Sequence, residues 1–333
     1  MDIDIVVLWV DGSDPAWLAE KNRYSPKIMD DSNSDNRFRD WGLMKYWFRA
    51  IEAFAPWVRK IHFVTWGHLP SFLNTEHPKL HIVRHEDYIP GEWLPTFNAN
   101  TIEMNMHRIP GLAERFIYFN DDMFLLRPMA ETAFFQDGLP GAQATEIPLG
   151  FVGETQVWQF LAANDLGIIN KYFSKQKAER RARGKYLNPR YHWYDNLRTA
   201  ILGLLFPDYF TGFKNFHCPA AFLKSTFTEL WEKEPALLEA TSSHRFRSRE
   251  DVNQWLPLWW QLADGAFFPR RIDSMNVPVT DESVERLCEM IKKQQHEMVC
   301  IADPSGDIDF EALAARLRAA FETILPEKCS FER

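Results

Sequence analysis

The amino-acid sequence predicts an α/β protein with a mostly parallel sheet in its first half and a helical second half. Two observations carry this prediction. Short runs rich in Val, Ile and Phe alternate with segments whose apolar residues recur at helical spacing, as in parallel sheets joined by crossover helices. In addition, acidic and amide residues directly follow two of the apolar runs, which is where open α/β sheets bind their ligands.

The first half contains the strands of the predicted sheet. Ile3 to Val10 is a nearly continuous apolar run, which indicates a strand buried on both faces, and it ends in the turn residues of 11–15. Asp40 is predicted to cap a helix that stops before Pro56. The remaining predicted elements are strands at Ile61–Trp66, His81–Val83 and Phe116–Phe119, and a helix over about Ala99–Ile109.

The second half, after about residue 140, has a mostly helical pattern. We expect an α/β core at 1–140 and a helical part at 141–333, which together form one compact unit. Residues 192–265 read as helical and aromatic-rich, and two further helices are predicted near Glu282–Met298 and Phe310–Leu325. The basic stretch Lys175–Arg190 is interpreted as a solvated helix or loop, with contact to an anionic substrate or a lipid headgroup as the alternative.

Charge and cysteine content exclude several classes of protein. With 46 acidic against 38 basic residues the chain has a formal charge of −8, which argues against nucleic acid as a partner. The four cysteines show no CxxC pair, so neither a zinc site nor a disulfide framework is predicted. No signal peptide is recognised, and no apolar run approaches the roughly 20 residues of a membrane span. We expect a cytoplasmic protein that can act at the inner face of the membrane.

Acidic residues after two predicted strands are the first candidates for chemistry. Asp11 and Asp14 follow the first strand, and Asn120, Asp121 and Asp122 follow the last strand of the first half. Because the carboxyl ends of parallel strands meet at one edge, these residues should face one crevice. Carboxylate oxygens suit Mg²⁺ or Mn²⁺, which neutralises a diphosphate. The alternative interpretation of the paired acids is a turn or a helix cap.

Three further features could supply this crevice with positive charge or a proton acceptor. Arg37 and Arg39 lie close to a predicted helix start and are suited to phosphate oxygens. His217 lies in a turn and titrates near neutrality, which suits a proton acceptor, with a structural role as the alternative. Arg247 belongs to the basic cluster at 245–251, whose alternative is a surface helix start with ion pairs.

Blocks of sequence along nearly the whole chain match the conserved regions of one known family. The first block is IDIVVLWVDGSDPAW, and the second runs from RFRDWGLMKYWF through LPTFNANTIEMNMHRIPGLAERFIYFNDDMF. The third comprises FHCPAAFLKS and HRFRSREDVNQW, and the last comprises VCIADPSGD and ILPEKCSFE. The chain thereby resembles the Stealth family of sugar-phosphate transferases. That family includes bacterial capsular polysaccharide phosphotransferases and the catalytic subunit of the animal N-acetylglucosamine-1-phosphotransferase.

The resemblance implies a Rossmann-like sheet of the nucleotide-sugar transferase type and a specific reaction. A sugar 1-phosphate would pass from a nucleotide-diphosphate sugar, in the first instance a UDP-sugar, to a hydroxyl of an acceptor glycan in capsular or cell-surface polysaccharide synthesis. Peripheral association with the capsule machinery at the membrane is implied as well. A metal-dependent glycosyltransferase with the same type of donor is the first alternative. A non-catalytic glycan-binding protein, suggested by the 13 Trp and 26 Phe, is the second.

The resemblance also assigns roles to individual residues. Asp121, Asp122, His217 and Arg247 match the family's catalytic motifs, and the two aspartates are implied as the ligands of Mg²⁺ or Mn²⁺. The residues implied in binding the donor are Asp11, Gly12, Asp14, Arg37, Arg39, Glu103 and Asn120.

Overall fold

Strands and helices alternate along the first half of the chain, and helices dominate the second. The computed structural model describes residues 1–25, 38–151, 157–303 and 308–333. In the first half these form β1 (Ile3–Leu8), α1 (Pro15–Tyr24), α2 (Met44–Phe54), β2 (Lys60–Thr65), β3 (Leu80–Arg84), α3 (Ala99–Met104), β4 (Arg115–Phe119), β5 (Met123–Leu125), α4 (Glu131–Phe134), β6 (Phe135–Gln136) and β7 (Leu139–Ala142). In the second half they form α5 (Val157–Tyr172), α6 (Lys175–Arg181), α7 (Trp193–Leu205), β8 (Ala220–Leu223), α8 (Lys224–Lys233), α9 (Pro235–Ser243), α10 (Trp255–Asp264), β9 (Phe268–Pro269), β10 (Ser274–Pro278), α11 (Val284–Lys292), β11 (Met298–Ala302) and α12 (Phe310–Ile324).

The main sheet has the strand order β3-β2-β1-β4-β8. Its first four strands are parallel, with Ile5 of β1 opposite Ile61 of β2 and Ile117 of β4, and β8 is antiparallel at one edge. Because alternate residues of a strand point to opposite faces, Ile5 joins the apolar cluster that contains α2 and α12, whereas Val6 joins the cluster that contains α10. The predicted α/β fold with a mostly parallel, Rossmann-like sheet is confirmed.

The order of the strands fixes where a ligand can bind. β2 and β3 are added on one side of β1, and β4 is added on the other. The gap between the carboxyl ends of β1 and β4 is therefore the topological switch point, where open α/β sheets bind their ligands. The turn beginning at Asn120 follows β4 at this edge, and the turn that contains Asp11 follows β1.

Two helix starts differ from the sequence prediction. Asp14 caps α1, a helix that was predicted only as a turn, and its Oδ1 accepts from the backbone N–H groups of Ala16 and Trp17. Asp40 does not cap α2, which begins at Met44 without a side-chain cap. The Asp40 Oδ1 instead accepts from the Gly42 backbone N–H at 2.8 Å, because the chain makes a further bend before the helix begins.

One predicted helix is shorter than expected, and one region predicted as helical contains a strand. The helix expected over Ala99–Ile109 ends at Met104 and is followed by a 3₁₀ turn. The region 192–265, predicted as helical, contains β8 of the main sheet. β11 lies in the last part of the chain, parallel to β10 and antiparallel to β5. Because β5 directly follows Asp122, this small sheet joins the C-terminal region to the switch point.

The basic stretch 175–190 is not uniformly solvated, contrary to its first interpretation. Lys175 is fully buried at the start of α6, and its Nζ lies 2.6 Å from the Glu146 Oε2. Glu146 also accepts from the backbone N–H and the hydroxyl of Thr211 through its other oxygen. A buried charge requires such a partner, so Lys175 is a structural residue, whereas most of the basic residues that follow it are exposed.

Helix length in the described part of the chain stays within the range of ordinary globular proteins. The longest helix among the described residues, α5, has 16 residues, and α12 has 15. None of the described helices combines the length and apolar composition needed to cross a membrane.

Candidate active site

A cleft of about 700 Å³ opens at the carboxyl ends of β1 and β4. Its floor is formed by the last residues of β1 and by the turn after β4, and elements of the second half close its sides. The charged residues in its lining are Arg39, Asp40, Glu103, Asp121, Asp122, Lys214, Arg247 and Asp303. Its aromatic walls are formed by Trp9, Trp17, Phe38, Trp41, Trp66, Phe97, Phe124, Trp158 and Trp255. A volume of this size, with aromatic walls and charged groups that converge on one space, is typical of a small-molecule site.

The turn at 120–122 concentrates negative charge on the cleft floor. Desolvation raises the pKa of Asp121 well above its ordinary value, and the charge of Asp122 raises it further. The charges of Asp40 and Asp303 act in the same direction. Asn120 contributes no charge; its side-chain amide lies within hydrogen-bond distance of the Tyr118 hydroxyl. Carboxylates that repel one another in this way favour a cation between them.

Asp122 lies in contact with two other potential metal ligands. Its Oδ2 accepts from the Cys300 thiol at 3.2 Å and lies 3.6 Å from His217 Nε2. One ligand atom from each of the three residues lies within 4.8 Å of the others. The Asp122 Oδ1 is buried and has no hydrogen-bond partner among the described residues. A buried carboxylate oxygen without a donor fits a bound cation, so the residues present are compatible with a divalent metal.

His217 is held in an uncommon backbone conformation. Its φ is +43°, in the left-handed region that few residues other than glycine adopt. Such conformations concentrate at functional sites, where the surrounding structure holds the strained residue in place. Desolvation lowers the pKa of His217, but the Asp122 carboxylate outweighs this effect and raises the pKa above its ordinary value. The imidazole is therefore a stronger proton acceptor than a free histidine side chain.

Arg247 is the member of its basic cluster that reaches the cleft. The Arg245 guanidinium instead lies 4.9 Å from the centre of the Tyr24 ring, and Arg249 lies 4.9 Å from that of Phe160. Of these three arginines, Arg247 belongs to the described lining of the cleft. Its charge lowers the pKa of both Glu103 and His217, which places the guanidinium near these two groups.

A buried aspartate holds the loop that carries Arg247. Asp251 is fully buried, and its Oδ2 accepts from the amides of Asn98 and Asn100 at 2.8 and 2.9 Å. The same oxygen accepts from the Ser248 backbone N–H, and Oδ1 lies 2.6 Å from His244 Nδ1. These contacts fix both ends of the loop 244–251 to the start of α3, so Arg247 projects from a rigid base.

Glu103 lies between Arg247 and the sheet. It is almost fully buried, and it accepts from the Tyr118 hydroxyl at 2.7 Å and from the Gln254 backbone N–H at 3.3 Å. Burial raises the pKa of Glu103 to about 7, although the Tyr118 hydrogen bond and the Arg247 charge act in the opposite direction. A carboxyl group with such a pKa can carry a proton near neutral pH.

The candidates after β1 have local structural contacts. The Asp14 carboxylate caps α1, and the Asp11 carboxylate accepts from the backbone N–H and the hydroxyl of Ser13. Neither side chain belongs to the described lining of the cleft. Of the two arginines near α2, Arg39 lines the cleft, and Arg37 lies outside the described residues.

Gly12 permits a close approach between the turn after β1 and the segment that precedes α2. Its backbone N–H donates to the Phe38 carbonyl at 3.0 Å, and a Cβ at this position would lie 2.0 Å from the same oxygen. Both segments contribute to the cleft, through Val10 on one side and through Phe38 and Arg39 on the other. A side chain at residue 12 would push these two walls apart.

Gly12→Ala should therefore lower the free energy of unfolding by about 1–3 kcal/mol through overpacking. Displacement of the cleft wall should also lower kcat/KM by about 10²-fold, since catalysis tolerates little misplacement of binding groups. Thermal unfolding and steady-state kinetics measure the two effects. Gly91→Ala is the matched control, because a Cβ there meets no atom within 4 Å. Equal behaviour of the two variants would contradict the proposed close contact.

The structure adds residues that sequence reasoning missed. Cys300 lies beside Asp122 because β11 pairs with β5, with Cys300 opposite Met123. Asp303 follows the same strand and adds a carboxylate to the cleft. The spacing of the cysteines contained no signal for this placement, since the partners of Cys300 come from distant parts of the chain.

Comparison with known proteins identifies conserved regions of one family in this chain. The model of Stealth protein CR1, conserved region 1, matches residues 1–29. The model of Stealth protein CR2, conserved region 2, matches residues 37–141, and that of Stealth protein CR3, conserved region 3, matches residues 216–256. These ranges contain the turns after β1 and β4, His217 and Arg247.

Alignments with full-length relatives cover nearly the whole chain. The capsular polysaccharide phosphotransferase WcwK of Streptococcus pneumoniae is 39% identical over 334 residues, which cover 99% of this chain and 98% of the relative. The receptor polysaccharide phosphotransferase WefC of Streptococcus oralis is 38% identical over 336 residues, 99% of each chain. The exopolysaccharide phosphotransferase cps2G of Lactiplantibacillus plantarum is 36% identical over 334 residues, 100% of this chain and 96% of the relative.

Proposed function

The chain belongs to the Stealth family, and from this premise we propose that it transfers a sugar 1-phosphate from a nucleotide-diphosphate sugar to a hydroxyl of an acceptor glycan. Its relatives are phosphotransferases of capsular, receptor and exopolysaccharides, so the chain is a transferase of polysaccharide synthesis. The observation that carries the finer proposal is the convergence of Asp121, Asp122, His217 and Arg247 on one cleft at the switch point.

In the proposed reaction, the acceptor hydroxyl oxygen attacks the phosphorus that carries the sugar. A new P–O bond forms, the bond from this phosphorus to the bridging oxygen breaks, and the nucleoside monophosphate leaves. The hydroxyl proton passes to His217, whose Nε2 lies 3.6 Å from the Asp122 Oδ2 in the same cleft. Arg247 holds the equatorial oxygens of the transferring phosphoryl group, where negative charge is spread at the transition state.

A divalent metal is part of this proposal. Asp121 and Asp122 would hold Mg²⁺ or Mn²⁺, and Asp122 offers a buried oxygen without a hydrogen-bond donor. When bound, the ion would neutralise charge on the diphosphate. His217 and Cys300 are close enough to Asp122 to bind, together with it, an ion softer than Mg²⁺. The activity should therefore be compared with several divalent ions.

Arg247→Lys should lower kcat by at least about tenfold, with a smaller change in donor affinity. Lysine keeps the charge but loses the planar fork that can contact two phosphate oxygens at once. Arg245→Lys and Arg249→Lys are the matched controls, because both guanidinium groups contact aromatic rings instead of lining the cleft. Steady-state kinetics of the three variants measures these effects. Equal, small decreases in kcat at all three positions would show that Arg247 does not contact the transferring phosphoryl group.

The experiment that tests the function is a panel of nucleotide-diphosphate sugars, UDP-sugars first, with ³¹P NMR of the glycan product. A phosphodiester resonance and release of the nucleoside monophosphate would support phosphotransfer. Release of the nucleoside diphosphate would favour the alternative, a metal-dependent glycosyltransferase. Glycan binding without turnover of any donor, and without need of Asp122, would favour a non-catalytic glycan-binding protein.

The proposal includes a place of action. We infer that the enzyme works in the cytoplasm and that it associates peripherally with the inner face of the membrane. There it would meet an acceptor glycan that the rest of the capsule machinery has assembled.

A further inference from the structure

The helix α7 has its polar and apolar faces exchanged relative to an ordinary surface helix. Its buried residues include Asp195 and Thr199, which contact other parts of the protein. The Asp195 Oδ2 accepts from the Gln143 amide at 3.2 Å, and the Thr199 hydroxyl accepts from the Glu146 backbone N–H at 3.1 Å. An amphipathic helix in water normally buries its apolar face and exposes its polar one.

The outward face of α7 is an apolar stripe made of Trp193, Leu197, Ile201 and Leu204. The spacing of four, four and three residues places these side chains on one face of the helix. Leu204 is 84% exposed and Trp193 is 75% exposed. Leu205, Tyr194 and Tyr209 extend the exposed apolar surface on its borders. Contiguous apolar surface of this kind marks an interaction site.

A basic border, residues 175–190, runs along this stripe. Five of its seven Lys or Arg are exposed, the exceptions being buried Lys175 and half-buried Lys185, in a chain whose net charge is −8. Glu179 of α6 lies 3.8 Å from the Cβ position of Gly203, and the Asn188 backbone N–H donates to the Asn196 side chain at 3.0 Å. The border therefore contacts both halves of α7.

Several charges of this border are available to a partner. Lys177, Arg180 and Arg183 are exposed, and no carboxylate pairs with them among the described residues. Arg181 and Arg198, in contrast, pair with Asp264 and Asp195. Between residues 175 and 209 the carboxylates are Asp195, which is buried in that pair, half-buried Glu179 and exposed Asp208.

This combination of features fits an anionic membrane surface. A helix that presents Trp and Leu beside basic residues lies in the headgroup region, with the apolar side chains inserted and the cations at the phosphates. A second copy of this chain is the competing occupant. A two-fold contact through the stripe would bring two copies of the basic border close together, and their like charges would repel.

We propose that the α7 stripe and the basic border dock the enzyme on the anionic surface of a lipid bilayer. α7 packs on Glu146, and the next residue, Ile147, lines the cleft. Docking therefore holds the cleft beside the bilayer, within reach of a glycan whose end is anchored there. This inference deepens the membrane association in the proposed function and does not depend on the chemistry in the cleft.

The test is sedimentation of the full chain with vesicles of phosphatidylcholine mixed with phosphatidylglycerol, and with vesicles of phosphatidylcholine alone. The unaltered protein should sediment with the anionic vesicles at low salt and less at high salt. The double variant Leu197→Gln/Leu204→Gln should partition at least about tenfold less. The triple variant Lys177→Gln/Arg180→Gln/Arg183→Gln should bind anionic vesicles about 10- to 100-fold more weakly than the unaltered protein. Its binding to vesicles of phosphatidylcholine alone should not change.

Matched controls lie elsewhere on the surface. Leu69→Gln removes an exposed leucine, and Lys292→Gln/Lys293→Gln removes two exposed charges from the end of α11. Absence of vesicle binding by the unaltered protein, or equal losses in the controls, would overturn the proposal. So would a stable dimer that the double variant converts to a monomer. Turnover of a soluble acceptor should persist in the docking variants, so failure of the catalytic proposal would be seen separately.

Discussion

Asp122→Asn should lower kcat by about 10²- to 10³-fold, which corresponds to the several kcal/mol that a bound cation supplies to a charged transition state. The Asp122 Oδ1 is buried without a hydrogen-bond partner among the described residues. The charges of Asp122, Asp40 and Asp303 all raise the pKa of its neighbour Asp121, so a cation at this place relieves repulsion. Asparagine keeps the size of the side chain and removes its charge, which separates electrostatics from packing.

Removal of divalent cations should have the larger effect on the unaltered enzyme. Turnover should be abolished by EDTA and restored by Mg²⁺ or Mn²⁺, and Mn²⁺ binding followed by electron paramagnetic resonance should be weaker in Asp122→Asn. Asp208→Asn, an exposed aspartate outside the described cleft lining, is the matched control and should leave both properties unchanged. Full turnover in metal-stripped enzyme, or unaltered Mn²⁺ affinity in Asp122→Asn, would refute the metal site.

The four parallel strands of the main sheet could be predicted because each is a short apolar run with a clear end. Ile3–Leu8 and Arg115–Phe119 are buried on both faces, so their sequences are almost continuously apolar. Helix starts were harder to predict, because the same residue types are common in turns and at helix N-caps. Asp14 followed by Pro15 suits either a turn or the first residues of a helix, and here it starts α1.

Long-range pairing explains what the sequence could not predict about the site. Cys300 and Asp303 reach the cleft only because β11 pairs with β5, and no local pattern announces an antiparallel partner about half a chain away. His217 and Arg247 were found from local motifs and from the family resemblance. The contact between His217 and Asp122, which raises the imidazole pKa, is visible only in the folded chain.

The same limit applies to α7. Hydrophobic periodicity identifies an apolar face of a helix, but it does not indicate whether that face meets the core or an external surface. Here the buried side is chosen by hydrogen bonds of Asp195 and Thr199 to residues of 143–146. The interior polar network therefore directs the apolar stripe outward.

Removal of the His217 imidazole should lower kcat by about 10²- to 10⁴-fold while donor binding persists, if this residue accepts the acceptor proton. His217→Gly is the cleaner variant, because glycine adopts a φ of +43° without strain, whereas alanine does not. His217→Gly and His217→Ala should both be measured by steady-state kinetics and by donor binding. His296→Ala is the matched control, since this imidazole also pairs with an aspartate, Asp273 at 2.6 Å, but does not line the described cleft.

Rescue separates a proton acceptor from a structural histidine. Added imidazole should restore part of the kcat of His217→Gly, because the small base can occupy the space that the ring has left, and it should not stimulate His296→Ala. A His217→Gly enzyme that turns over within about tenfold of the unaltered protein would exclude His217 as the general base. The acceptor proton would then need another group in the same cleft. Glu103 is the first candidate, because burial raises its pKa to about 7, and Glu103→Gln should then show the loss expected here of His217.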